Sequence, residues 1–568
     1  MMVKRYSINL EREDFYQYLL GFLCLIVYAG SLLFPLMDKD AAHHANIALN
    51  MLQRDDYTSL IDRHTDYLDK PHFLFWISAI SFKIFGVNTF AYRLPAVLCA
   101  LLSIYSTYRL AKHLSNKTTA KLAAIMLATA EGFILSINDA RMETPLMAAI
   151  IFGLWQLIVF IDNRKLGNII LASVGIAMAF STKGWIGPAI TFIAAFFYIL
   201  LNKKWNILLV WKTWMIIPLL AIFISPVLYA YYQQFNLHPE KVVRNMDHIS
   251  GIKFILWDQN FERFGGDNFI KGGRNSSVFF LYHTFLWAFF PWCIAAYIAV
   301  VYWLRRMIWF KKWRYPFNFA ALAFAFILFF ISFSKFKMPH YIFMLLPLAA
   351  LFTAPYLRLV LSYRKGIRFY YPLHLVLACL VIVAIIILNY YFFPPRTIAM
   401  QILGPIAIIG LIWSMIRKDN SKGMKVMYMT VCFAIAVNFF MNYNFFPGLM
   451  KYQGGNELAF EIKKENLQID DKDIYLLDVN AHSFDFYRGY NHEIIEKNDL
   501  AQKLPAMKDK YFLLGSPMAR GLETDSFIVR PVAIHTDYNV ARMKLKFLNP
   551  KTRMKLCDTL MLAQIEKK

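Results

Sequence analysis

"ETPLMAAIIFGLWQLIVFIDNRKLGNIILASVGIAMAFSTKG", residues 143–184, is a pair of apolar runs hinged on two basic residues. About 20 apolar residues are enough to carry a helix across a bilayer core. The runs near 143–161 and 166–182 therefore predict two membrane helices joined by Arg164 and Lys165. Glu143 opens the first run with Thr144 and Pro145 behind it, which places its carboxylate at a helix N-terminus. Lys183 closes the second run with only Thr182 and Gly184 as polar or small neighbours. An unpaired cation is costly there, so both ionisable residues are functional candidates at one mouth of the pair.

The same reading extends along most of the chain. Spans are predicted near 15–36, 88–111, 118–137, 143–161, 166–182, 184–201, 206–232, 276–304, 315–333, 338–361, 368–392, 397–416 and 424–446, about 13 in all. Of the 568 residues, 58% are hydrophobic and 17% charged, the balance of an integral membrane protein. The formal net charge of +24 sits in short loops between spans, at Lys112 and Lys117, Lys203 and Lys204, and Arg305 to Arg314 among others. That is the positive-inside pattern, and it argues against a nucleic-acid partner. It predicts a cytoplasmic N-terminus, with the loops 37–87 and 233–275 and the C-terminal segment outside a bacterial inner membrane.

Within loop 37–87, "AAHHANIALNMLQ" has helical spacing and "HFLFWISAISFKIFG" is an aromatic run broken by Lys83. Both suit helices lying at the membrane surface. From Lys451 the texture becomes short β-type runs such as "DKDIYLLDVN" and "KYFLLGS" between helical stretches, which predicts a small α/β domain. The division expected is a transmembrane domain over 1–446 and a soluble domain over 447–568. Five of the six cysteines lie in apolar spans, so no disulfide framework is expected. The first apolar stretch is long enough to remain as an anchor, and no cleavable signal is expected. Dinucleotide-binding, Walker A and CxxC motifs are absent from the sequence.

Chemistry-bearing residues collect in the outward segments. Asp40 follows the first span and shares its side with Glu143, and two carboxylates at one mouth form an acid/base and positioning pair. Lys70, Lys183, Arg263, Lys335 and Lys337 are cations on the side where few are expected. Converging from separate segments, they fit a phosphate-binding site. His43, His44, His72 and His340 match no standard zinc spacing, so no metal ligand is assigned among them.

The segments "PLMDKDAAHHANIALNML", "YLDKPHFLFWISAISFKIFGVNTFAYRLPAVL", "ARMETPLMA", "STKGWIGP", "NFERF", "YHTFLWAFFPW" and "SKFKMPHYIFMLLPLAAL" resemble one family. It is the bacterial, lipid A aminoarabinose transferase-like branch of the protein O-mannosyltransferase superfamily of GT-C membrane glycosyltransferases. The resemblance covers most of 30–350 and implies a polytopic α-helical fold with an extracytoplasmic catalytic face and a polyprenyl-phosphate sugar donor. It implies that Asp40 and Glu143 are the catalytic acids, and that Lys70 and Arg263 hold the donor phosphate. Lys183 and Lys337 would assist them, with Tyr341 lining the lipid cavity. Asp69 falls at an acidic position that the family associates with a divalent metal in some members. Two departures stand out. Ala41, Ala42, His43 and His44 follow Asp40 where the family has Glu, Arg and Tyr, and His72 replaces a second proline. The expectation therefore reaches the donor class, not the sugar or the acceptor.

The function expected is an inverting glycosyltransferase that moves a sugar from a polyprenyl phosphate to an envelope acceptor such as lipid A, another glycolipid or a protein. The rival class is a lipid-linked sugar transporter or flippase. That class places its charges near the midplane and is built from repeats. Here the charges gather at one face and no repeat is visible.

Overall fold

The computed structural model describes residues 14–259, 277–416 and 422–567, apart from 245, 466, 508, 525 and 526. Helix α1 (Asp14–Ser31) exits into a short π-helical turn (Asp38–Ala42) that runs directly into α2 (His43–Arg54). Strands β1 (Ile61–Asp62) and β2 (Thr65–Asp66) form a small hairpin, followed by α3 (Phe73–Phe85). The bundle continues through α4 (Thr89–Leu114), α5 (Lys117–Ala128), α6 (Glu131–Asn138), α7 (Glu143–Asn163), α8 (Leu166–Lys183) and α9 (Ile186–Asn202). It is completed by α10 (Trp211–Asn236), α11 (Phe280–Ala288), α12 (Cys293–Ile308), α13 (Asn318–Ser332), α14 (Pro339–Leu361), α15 (Arg364–Phe392), α16 (Ile398–Ile416) and α17 (Lys422–Met450).

Among the described residues, eight of these helices are long and apolar enough to cross a membrane: α4, α7, α8, α10 and α14 to α17. A ninth is formed if α5 and α6, bent by 53° at their junction, act as one broken span. Each of the 13 expected spans has a helical counterpart, but several are short or broken. The run 276–304 divides into α11 and α12, and α9 and α13 have 17 and 15 residues. Helix α3 has 13 residues, about 20 Å at 1.5 Å per residue, too short to cross a core of about 30 Å. Helices α15 and α16 bury only 17% and 22% of their apolar windows and expose Leu380, Val383, Ile402, Ile406 and Ile409. Such surfaces are stable against lipid rather than water, and the chain is a multi-span membrane protein.

Helix α7 is buried on nearly every face, so it runs through the middle of the bundle. Its antiparallel neighbour α8 approaches closely because Gly153 faces Gly175. A Cβ at Gly175 would meet Gly153 Cα at 2.7 Å. Small residues at such a crossing bring two backbones together where lipid offers no hydrophobic drive. Eight residues beyond Gly175, α8 ends at Lys183 because Gly184 takes a positive φ of 67°. Ten residues back from Gly153, α7 begins at Glu143. The crossing thereby places both charged ends at the same mouth.

The C-terminal domain is a five-stranded sheet with strand order β4-β3-β5-β7-β6. Strands β3 (Ile474–Leu477), β4 (Ile494–Ile495) and β5 (Tyr511–Gly515) are parallel, while β7 (Asp558–Lys567) runs antiparallel to β5 and to β6 (Phe527–Asp537). Side chains alternate across the sheet. Leu476, Leu513 and Leu562 pack beneath α18 (Gly454–Lys464) and α19 (His482–Arg488). Leu477, Phe512, Leu514 and Ala563 pack beneath α20 (Lys497–Lys503) and α21 (Ser516–Thr524). The expected boundary at 446/447 falls in the last turns of α17, which reaches Met450. The domain docks on the first loop through α19: Asn46 Nδ2 donates to His482 O at 2.8 Å, and Arg63 Nε meets Asp485 Oδ2 at 2.6 Å in a buried ion pair.

Candidate functional site

The turn after α1 aims its two acids in different directions. Asp38 accepts from the backbone N–H of Ser483 at 2.7 Å and so holds the C-terminal domain. Asp40 faces the bundle, where its Oδ2 lies 3.1 Å from Arg141 Nη2, and its side chain remains 49% exposed. Arg141 also pairs with Asp139 through Nε. The turn between α6 and α7 presents this arginine by placing buried Ala140 at φ 47°, a conformation costly for a residue with a Cβ.

Behind this pair is a second, dry one. Glu143 Oε1 accepts from Lys183 Nζ at 2.5 Å, and the two side chains are 5% and 6% exposed. Glu143 sits at the positive N-terminal end of α7 and Lys183 at the negative C-terminal end of α8, so each charge suits its own helix dipole. His340 Nε2 lies 3.5 Å from Glu143 Oε1, and its ring meets Tyr341 edge-on at 5.1 Å. Lys183 Nζ lies 4.7 Å from the centre of the Tyr341 ring. The charge of Lys70, in the loop before α3, acts on both His44 and His340.

Asp40, Glu143, Lys183 and Tyr341 are thus gathered within one network, with Lys70 in electrostatic reach. Two of the expected phosphate-binding cations have partners within the protein. Lys183 is paired with Glu143. Lys337 is buried and donates to the carbonyls of Ser332 at 2.7 Å and Ser277 at 3.1 Å. Arg263 lies outside the described residues. Beside Asp69, where the resemblance implied a possible divalent ion, the structure places the guanidinium of Arg244. Among the described residues, the one group arranged to hold a metal is His43, Asp62 and His482. Of these, sequence reasoning singled out only His43. Arg141 was visible in "ARMETPLMA" but received no role. Its position on an outward loop between two acids was the available signal.

Burial pushes the Asp40 carboxyl upward, but Arg141, His44 and His340 outweigh it and hold the group below its ordinary range. Asp139 shares Arg141 yet is shifted upward, because its deeper burial outweighs that help. Asp40 is therefore a standing negative charge and a weak base at neutral pH. Glu143 is held by Lys183 in a buried ion pair. A cavity of about 550 Å³ among α1, α5, α14 and α17, lined by apolar side chains with Lys121 and Arg358, contains none of these residues.

Comparisons with known proteins bear on the family and the fold. Residues 69–230 match the family model described as dolichyl-phosphate-mannose-protein mannosyltransferase. An undecaprenyl phosphate-alpha-4-amino-4-deoxy-L-arabinose arabinosyl transferase of Pseudomonas aeruginosa is 27% identical over 341 residues, 58% of each chain. An uncharacterized protein of Aquifex aeolicus is 26% identical over 318 residues, 55% of this chain and 58% of its own. The chain thus matches somewhat over half the length of these curated relatives. In structure it is similar to ArnT from Cupriavidus metallidurans bound to undecaprenyl phosphate, with a TM-score of 0.71, 16% identity and coverage of 96% and 98%. It is also similar to the oligosaccharyltransferase of Archaeoglobus fulgidus, with a TM-score of 0.52, 12% identity and coverage of 89% and 70%. At these identities the likeness establishes the fold alone, which is that of ArnT from Cupriavidus metallidurans.

Proposed function

We propose that the protein transfers one sugar, with inversion, from a polyprenyl-phosphate donor to an acceptor of the cell envelope. The observation that carries this reading is the half-exposed Asp40–Arg141 pair standing in front of the buried Glu143–Lys183 pair at one mouth of a membrane bundle. The names of its relatives supply the donor class: one is an undecaprenyl-phosphate-dependent arabinosyl transferase, and ArnT binds undecaprenyl phosphate.

In this reaction the bond between the anomeric carbon and the phosphate oxygen breaks, and its electron pair stays on the phosphate. The acceptor oxygen forms the new bond from the opposite face through an oxocarbenium-like transition state. Lys70 and Arg263 neutralise the departing phosphate. Asp40 stabilises the cationic sugar and takes the proton of a hydroxyl acceptor. A phosphate acceptor brings an oxygen already ionised, and then only the charge of Asp40 is needed. Glu143 and Lys183 hold the mouth open at fixed geometry, and Arg141 fixes the Asp40 rotamer.

The Lys/Arg-rich loops support an inner-membrane placement with the N-terminus cytoplasmic and the site and C-terminal domain outside. An impermeant thiol reagent applied outside is then expected to label cysteine placed at Glu240 and to miss cysteine placed at Lys311. The activity is tested by mass spectrometry of envelope lipids and glycans with and without the gene, together with assay of the purified protein. The expected results are a sugar-sized mass difference that identifies the acceptor and release of free polyprenyl phosphate. Donor lipid that is bound or moved but never cleaved would favour transport instead.

A further inference from the structure

Away from the carboxylate network, three side chains from separate elements converge where the C-terminal domain meets the first loop. His43 is the first residue of α2, Asp62 lies on β1, and His482 is the first residue of α19. His43 Nε2 is 3.0 Å from Asp62 Oδ2, and His482 Nδ1 is 3.8 Å from Asp62 Oδ1. One ligand-type atom from each residue lies within 4.8 Å of the other two. The two imidazole rings stack with centroids 4.5 Å apart.

The His43–Asp62 contact at 3.0 Å accounts for only part of this closeness. His43 Nε2, Asp62 Oδ1 and His482 Nδ1 are all buried and none has a hydrogen-bond partner among the described residues. Buried polar atoms gathered this closely without hydrogen bonds cost about 1–3 kcal/mol each unless something satisfies them. A proton shared between two groups serves two of the three. A cation serves all of them. Zinc–nitrogen bonds of about 2.0–2.1 Å in tetrahedral geometry place ligand atoms about 3.4 Å apart; here one ligand atom from each residue lies within 4.8 Å of the others, so small side-chain adjustments would close them on an ion. The neighbouring cation, Arg63, pairs through Nε with Asp485 Oδ2 at 2.6 Å and donates from Nη1 to Asn480 Oδ1 at 2.9 Å, while its charge also acts on Asp62 and His482. Around the group, His44 stacks on His43 at 5.6 Å and Tyr67 packs edge-on at 5.4 Å, so two nitrogens and a carboxylate oxygen converge in a walled site.

We propose that His43, Asp62 and His482 form a binding site for a divalent transition metal of the zinc class, which clasps the C-terminal domain to the helix that begins three residues after Asp40. Two imidazoles with one carboxylate suit zinc and leave a fourth position for water. The site joins parts of the chain more than 400 residues apart, so its role is to register the domain against the turn that carries Asp40. It does not depend on the glycosyl-transfer reading.

The test uses the full-length, tag-free protein in detergent, stripped with a chelator, reloaded with zinc and dialysed before elemental analysis. A parallel sample is titrated with cobalt and followed by its ligand-field absorption. Wild-type protein is expected to retain one equivalent of zinc and to develop a tetrahedral-type cobalt band. His43→Ala, Asp62→Asn and His482→Ala are each expected to bind at least about tenfold more weakly. His482→Cys, which can still coordinate, should recover the metal, and substitution of exposed His64 by Ala should change nothing. Wild-type protein that retains no more zinc than the His43→Ala/His482→Ala double variant would overturn the assignment, as would loss of the metal in His64→Ala to the same degree.

Discussion

Helix α7 carries a carboxylate near each end, Glu143 and Asp162, 19 residues and about 28 Å apart. Each meets a lysine, but in different surroundings. Glu143 and Lys183 are 5% and 6% exposed, and the partners close to them are His340 and the Tyr341 ring. Asp162 and Lys204 are 21% and 34% exposed, and His113 and Tyr198 also bond the carboxylate, at 2.6 and 2.9 Å. The second cluster lies among the basic loops and ties helix ends together at a rim. Water can replace any member of it. The first cannot lose a member without stranding a charge in a dry interior. Ion pairing alone therefore does not mark a site; desolvation beside an open, charged mouth does.

Breaking the dry pair is expected to have the largest effect. Glu143→Gln strands Lys183 and should cost about 3–5 kcal/mol in reversible unfolding in detergent. Glu143→Gln combined with Lys183→Met removes both charges and should be far less damaging than the sum of the two single changes. Simple additivity would mean that the pair is not coupled.

Arg141 separates the two pairs and comes next. Arg141→Lys keeps one charge but cannot reach Asp40 and Asp139 in the same forked geometry, a loss of about 1.5–3 kcal/mol of charge-assisted hydrogen bonding. Because Arg141 helps hold the Asp40 carboxyl down, removing the guanidinium lets that carboxyl rise toward its ordinary value. The acidic limb of the pH–turnover profile should then move to higher pH. A limb that stays in place would detach Arg141 from Asp40.

At the rim, Asp162→Asn should cost no more than about 1 kcal/mol, and the difference should shrink further in high salt. A smaller, pH-dependent effect is expected at the domain junction. His492 is buried against Asp485 at 2.8 Å and Asp471 at 3.5 Å. Burial pushes its proton affinity down, but these acids outweigh burial and leave it above the ordinary value. A raised histidine contributes its full stability below the unfolded value, near 6.5, and loses it as pH rises through the folded value. The melting temperature should therefore fall between mildly acidic and mildly alkaline pH in wild type more than in His492→Gln.

The bundle was legible because apolar run length is a one-dimensional property, and each expected span meets a helix. The break of 276–304 into α11 and α12 was marked only by Pro291, in a stretch otherwise as apolar as the helices it separates. Asp40, Glu143 and Lys183 were legible one at a time, as charges at the ends of apolar runs. Their partners were not. The Glu143–Lys183 bond depends on how closely α7 and α8 cross at Gly153 and Gly175, a distance no local pattern carries. Lys337 shows the converse: its side of the bundle was readable, but its turn toward the Ser277 and Ser332 carbonyls was not. Asp62 and His482 escaped notice because metal motifs are read by short spacing, and these two meet only when the C-terminal domain docks.

The most direct test compares the mouth at the N-terminal end of α7 with the rim at its other end in one assay, release of polyprenyl phosphate by the purified protein given a polyprenyl-phosphate sugar donor and its acceptor. Asp40→Asn should fold and bind donor yet release product roughly 10²–10⁴-fold more slowly than wild type, the usual cost of removing a positioned acid or base. Asp162→Asn should match wild type. Equal rates for Asp40→Asn and wild type, or an equal fall for both variants, would contradict the assignment of catalysis to the mouth formed by Asp40, Arg141, Glu143 and Lys183.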